Sequence, residues 1–189
     1  MEMGPVEVVH CQSCFYNLCF ELSSTPFTAY RTIWKAPGTM KSRVLSWLVW
    51  KGKVNVANVL QNRCPYLYLS PSWCVLCKQD NETIDNVFLQ CSVSHRIWKE
   101  MISELGLIGR TPRSLHDCLD DGEAHTLKGR RGILWLSGIL ALIWSIWEER
   151  NRIFHDGERT WVEIWESIKR RVALFCLDIK SLMGRAGQN

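Results

Sequence analysis

Cys74-Val75-Leu76-Cys77 sets two thiols three positions apart, Cys91 follows after thirteen intervening residues, and His95 stands four positions beyond it. Two thiolates at this spacing form a tight knuckle that clamps a metal ion from two sides, and a third Cys with an imidazole completes the donor set of a small structural zinc site. If Cys91 opens a helix, Cys91 and His95 lie one turn apart on one face, as two ligands of a single ion should. The expected ligands are Cys74, Cys77, Cys91 and His95, and the expected cofactor is Zn2+. Three buried, unligated cysteines are the plainer alternative, because Cys is readily buried without a metal.

The chain holds nine cysteines, an odd number. Met1–His10 carries two Glu and no basic run before an apolar stretch, which is not the pattern of a secretory signal. In a reducing, intracellular setting clustered thiols point to metal before disulfides. A second group, His10, Cys11, Cys14 and Cys19, sits among Phe15, Tyr16, Leu18 and Phe20, and reads more readily as a buried or unstructured segment than as a second metal site. Catalysis is not expected. There is no His-Glu-x-x-His, no Gly-rich phosphate loop and no Gly-x-Ser-x-Gly, and Asp120-Asp121 lies in a polar stretch rather than between apolar strands.

Charge supplies the second signal. Between Glu21 and Asp80 there is no acidic residue, while Arg31, Lys35, Lys41, Arg43, Lys51, Lys53, Arg63 and Lys78 are all basic, against a formal net charge of only +4 for the whole chain. A single-sign stretch of this length suits a surface that meets phosphates, RNA or DNA. A solvated face with its acids elsewhere in the fold is the bland alternative. Trp47, Trp50 and Trp73 could stack on bases beside these cations, although helical spacing favours core packing for them.

The elements that would position these residues are mostly helical. Arg31–Lys35 is a short entry stopped by Pro37-Gly38. Arg43–Leu60 carries helical periodicity split at Gly52. Ser92–Leu105 places Ile97, Trp98, Met101, Ile102 and Leu105 on one stripe and stops at Gly106. Residues 107–131 are polar and Gly-rich, with at most a short helix over Leu115–Leu119. Ile133–Trp147 is the longest apolar run; at fifteen residues with three small interruptions it reads as a buried helix within 132–154 rather than a membrane span. The last helix opens at Thr160, where Thr160-Trp161-Val162-Glu163 fits a capping box, and Trp161, Ile164, Trp165, Ile168, Val172 and Phe175 form its apolar face.

Taken together, Trp34-Lys35-Ala36, Trp47-Leu48, Leu60-x-x-Arg63, Ser70-Pro71-x-Trp73-Cys74-Val75-Leu76-Cys77, Glu82-Thr83, Phe88-Leu89-x-Cys91 and Ile97-Trp98 form one ordered pattern. Over about residues 27–105 it resembles the reverse-transcriptase zinc-binding domain found behind the polymerase in plant non-LTR (LINE-type) retrotransposons. Ile143-Trp144-x-x-Trp147-x-x-Arg150-Asn151 is similar to the segment C-terminal to that domain in its relatives. The resemblance implies a non-catalytic, retrotransposon-derived module that helps hold RNA or DNA. It also implies a different third ligand. The family's string is Glu-Ser/Thr-x-x-His-Leu-Phe-x-x-Cys, and Asn86 stands where its His would be. Either His95 substitutes, or Asp85 shifts in, or the site is weakened, since an amide is a poor zinc ligand.

The expected architecture is mostly α, a helical domain with a small zinc-ribbon-like knuckle of short strands and a C-terminal antiparallel helix pair. Residues 1–24 are a poorly defined N-terminal segment, 25–106 the zinc-binding domain, 107–131 a linker or loop, and 132–183 the helix pair. Lys41, Arg43, Lys51 and Lys53 are the expected phosphate contacts, read through backbone charge with little base recognition. The rival is a structural or protein-interaction remnant that packs on a partner through its Trp-rich C-terminal helices.

Overall fold

A computed structural model describes residues 27–64, 73–107, 112, 114–120, 129–153 and 159–186. In chain order the named helices are α1 (Phe27–Lys35), α2 (Met40–Trp50), α3 (Ala57–Arg63), a π-helical turn (Asn86–Gln90), α4 (Ser92–Glu104), α5 (Leu115–Asp120), α6 (Arg130–Arg152) and α7 (Trp161–Ala186). The mostly helical expectation stands.

Local chemistry sets the helix ends. Thr39 caps α2 by accepting the Ser42 amide at 3.2 Å. The expected break at Gly52 falls between α2 and α3, where Gly52 adopts φ 66°, and Gly106 closes α4 with the same left-handed φ. At α7 the capping box is formed: Thr160 N donates to Glu163 Oε2 at 2.7 Å, and the Glu163 amide returns to Thr160 Oγ1 at 3.4 Å.

One apolar core runs through the described helices, α3 touching it only through the half-buried Val59. Ile33, Trp47, Trp50, Trp98, Trp135, Leu140, Ile143, Ile168 and Phe175 all belong to it. Its axis is α6, whose buried face runs from Gly132 to Glu149. By length and composition α6 could cross a membrane, but 67% of its apolar window is buried within the protein, as in the core helix of a globular fold. Burial on this scale contributes about 25 cal/mol per Å² of apolar surface.

Two expectations are corrected. The knuckle has no short strands: among the described residues the only β pairing is an isolated antiparallel bridge between Trp73 and Asn81. The apolar run Val87-Phe88-Leu89 is buried all round, a pattern a strand and a tight helical turn share. It winds as the π turn, closed by Cys91 N donating to Asn86 O at 2.8 Å. Carbonyls released by that wide turn are taken up by α4, Ser94 Oγ donating to Val87 O and Trp98 Nε1 to Phe88 O at 2.7 Å. Nor do the last two helices form a pair apart. α6 packs on α7, and also on α1, α2, α4 and the π turn. Its apolar residues surround much of the helix, so one partner could not cover them.

Candidate metal centre

The knuckle is held by backbone bonds before any metal is considered. Cys74 N donates to Asp80 O at 2.6 Å, and Lys78 N to Cys74 O at 2.8 Å, with Lys78 at φ 57° to turn the chain back. Cys91 ends the π turn in an extended conformation, φ −52° and ψ 137°, immediately before α4. These two segments bring the sulfurs of Cys74, Cys77 and Cys91 within 4.8 Å of one another. Sulfurs sharing a tetrahedral ion through bonds of about 2.3 Å lie somewhat closer than that, so a small inward adjustment would suffice.

The electrostatics push Cys74 and Cys91 in opposite directions. Cys74 is raised well above the ordinary thiol range, first by its hydrogen bond to Cys91 and then by burial, while the N–H groups of Cys77 and Leu76 oppose the rise. Cys91 is lowered, first by that same bond from Cys74; burial opposes it, and the N–H groups of Ser94 and Val93 at the start of α4 assist. Of this pair, Cys91 is the one favoured as thiolate and Cys74 the one that holds its proton more tightly. Three convergent sulfurs, two of them buried, form a soft donor set that fits zinc.

His95 is not brought into this group. Cys91 is the N-cap of α4, which runs from Ser92, so its side chain leaves from extended rather than helical backbone. His95 is half-buried, and its amide donates to Cys91 O at 2.7 Å as the first bond of the helix. Asn86 is 6% exposed with its Oδ1 buried and unpaired. His10, Cys11, Cys14 and Cys19 lie outside the described residues.

The basic residues divide. Lys41 and Lys53 are exposed. Arg43 is half-buried, its Nε donating to Ala36 O at 3.0 Å, and Lys51 lies over the rings of Trp47 and Trp50 at 5.2 and 5.1 Å. Trp47 and Trp50 are buried and stacked at 5.0 Å, as helical spacing suggested, whereas Trp73 is 55% exposed.

Sequence reasoning gave no role to Glu82. Its buried carboxylate accepts from Ala57 N at 2.8 Å, from Val75 N at 3.4 Å, and from Arg150 Nη2 at 2.6 Å. One side chain thus fixes the start of α3, the middle of the knuckle and the end of α6. The only signal in the sequence was that Glu82-Thr83 and Arg150-Asn151 both belong to the string of recognisable motifs.

A helical fold carrying three converging cysteine sulfurs on a backbone knuckle is an arrangement that could hold a metal ion. Residues 10–98 match the family described as zinc-binding in reverse transcriptase, and the three converging cysteines all fall within the match. The match begins earlier than the expected residue 27 and takes in the N-terminal cysteines. No curated protein and no solved structure matches the chain.

Proposed function

We propose that the chain is a non-catalytic zinc-binding module of the kind found behind the polymerase in plant LINE-type reverse transcriptases, and that it holds nucleic acid by backbone charge. The observation that carries this reading is the Cys74–Cys77–Cys91 cluster inside a segment matching a reverse-transcriptase zinc-binding family. The acid-free stretch from 22 to 79 supports the nucleic-acid part. Lys41, Arg43, Lys51 and Lys53 supply phosphate contacts, and zinc stiffens the knuckle, since metal binding and local folding are coupled. The fourth zinc position falls to a group outside the three thiolates.

Binding of the zinc-loaded full chain to labelled RNA and duplex DNA, measured against ionic strength, tests it. Four phosphate contacts predict a loss of about a hundredfold on duplex DNA between 50 and 200 mM salt. Binding indifferent to salt would instead favour the rival, an apolar partner interface. That surface would be the exposed Val162, Leu174 and Leu177 of α7, because Trp165 and Ile168 are buried against the protein's own core.

A further inference from the structure

The chain has ten tryptophans, and nine of them are buried or half-buried; Trp73 alone is exposed. It adjoins the fully buried Cys74, and its backbone is pinned by the bridge to Asn81 across the knuckle. The indole is therefore presented from a fixed edge, so little additional order has to be imposed when a flat partner lands on it. The Glu82 carboxylate, bonded to both Val75 N and Ala57 N, sets this edge beside the start of α3. α3 contains no acid, buries no residue and ends in the exposed Arg63, whose guanidinium donates to Asn55 Oδ1 and Lys53 O. An exposed aromatic face next to an acid-free, cation-bearing helix is the arrangement that binds single strands, with bases stacking and phosphates tracked by charge.

We infer that Trp73 is a stacking platform for an unpaired base, so that the protein prefers single-stranded RNA or DNA to duplex at this edge. The inference rests on the proposed nucleic-acid reading and adds base contact to backbone charge. Duplex bases, already stacked on their neighbours, offer Trp73 no free face.

The test uses the zinc-loaded full chain and fluorescence anisotropy with three labelled probes: a single-stranded oligonucleotide, the same backbone with abasic sites, and a duplex. Trp73→Ala is expected to weaken single-strand binding about tenfold or more, leave abasic and duplex binding unchanged, and keep the salt slope. Trp73→Phe should restore most of the loss, and zinc content in both variants should equal that of the parent. If the parent binds single strands and Trp73→Ala binds them equally well, stacking is overturned and backbone binding stands. If the parent binds none of the probes, the nucleic-acid reading falls and the stacking inference with it. Self-association of the parent that Trp73→Ala abolishes, with no oligonucleotide bound, would overturn the inference in favour of a protein contact.

Discussion

Arg150 reaches Glu82 across 68 positions of sequence, Nη2 to Oε1 at 2.6 Å, with the carboxylate wholly buried and the guanidinium nearly so. The guanidinium also lies 5.1 Å from the centre of the Trp147 ring, which fixes its plane. Removing one partner of such a pair leaves the other charge buried without this counter-charge. Glu82→Gln or Arg150→Met should each lower unfolding free energy by about 3 kcal/mol, and the double variant by less than the sum. Denaturant titration reads this. Because Glu82 also holds Val75 N, Glu82→Gln should weaken zinc affinity by about tenfold or more, measured by chelator competition.

Zinc binding should depend on three residues and little on a fourth. Cys74→Ser, Cys77→Ser or Cys91→Ser is expected to abolish stoichiometric zinc on metal analysis, and chelation of the parent should destabilise the knuckle. His95→Ala should leave zinc content unchanged, since His95 is not among the three groups that converge; loss of zinc in that variant would make His95 a ligand. Asn86→His would place an imidazole where an unpaired amide oxygen is now buried. A gain in affinity there would mark the site as having room for one more donor.

Affinity for zinc should rise with pH. The folded protein holds the Cys74 proton more tightly than an ordinary thiol, and the metal must displace it. Each proton released on binding steepens the dependence by about tenfold per pH unit. Competition titrations at pH 6, 7 and 8, with proton release followed in weak buffer, measure it. A flat profile would mean that no thiol proton leaves on binding, and the cysteine ligand set would fall.

Glu149 links the end of α6 to the approach to α7. It accepts from Arg159 N at 2.9 Å and Arg159 Nε at 2.7 Å, and from Arg152 at 3.1 and 3.2 Å. Burial pushes its carboxyl up, but the Arg152 bond and the Arg159 contacts outweigh it and hold the pKa below the usual range. The stabilisation is therefore complete above the unfolded carboxyl's pKa of about 4.3 and is lost as pH falls through the lower folded value. Glu149→Gln should cost about 2 kcal/mol at neutral pH, with the difference from the parent shrinking below about pH 4. Thermal melts across that range check the sign.

Much of the helical framework was legible because its signals are local. Gly52 and Gly106 mark breaks by their backbone freedom, Thr160 and Glu163 announce a cap three residues apart, and the stripe from Ile97 to Ile102 has helical period. Cys74, Cys77 and Cys91 were readable from spacing alone. His95 could not be placed by the same reasoning, because its side-chain position relative to Cys91 depends on the N-cap backbone that the π turn sets. Val87-Phe88-Leu89 gave no hint of that turn, because residues buried on every side lose periodicity. The Glu82–Arg150 pair was invisible for another reason. No pattern in a window of ordinary length joins residues so far apart.

The placement of α6 has a practical consequence for anyone cutting the gene. Trp98 rests on Trp135 with ring centres 6.1 Å apart, Phe88 stacks on Trp147 at 6.2 Å, and Glu82 depends on Arg150. A fragment trimmed after residue 106 to isolate the cysteine site would keep all three sulfurs yet uncover those faces to water. Such a peptide should collect in inclusion bodies or bind zinc without a sharp melting transition. The shortest piece that behaves as the protein does must extend through Arg150.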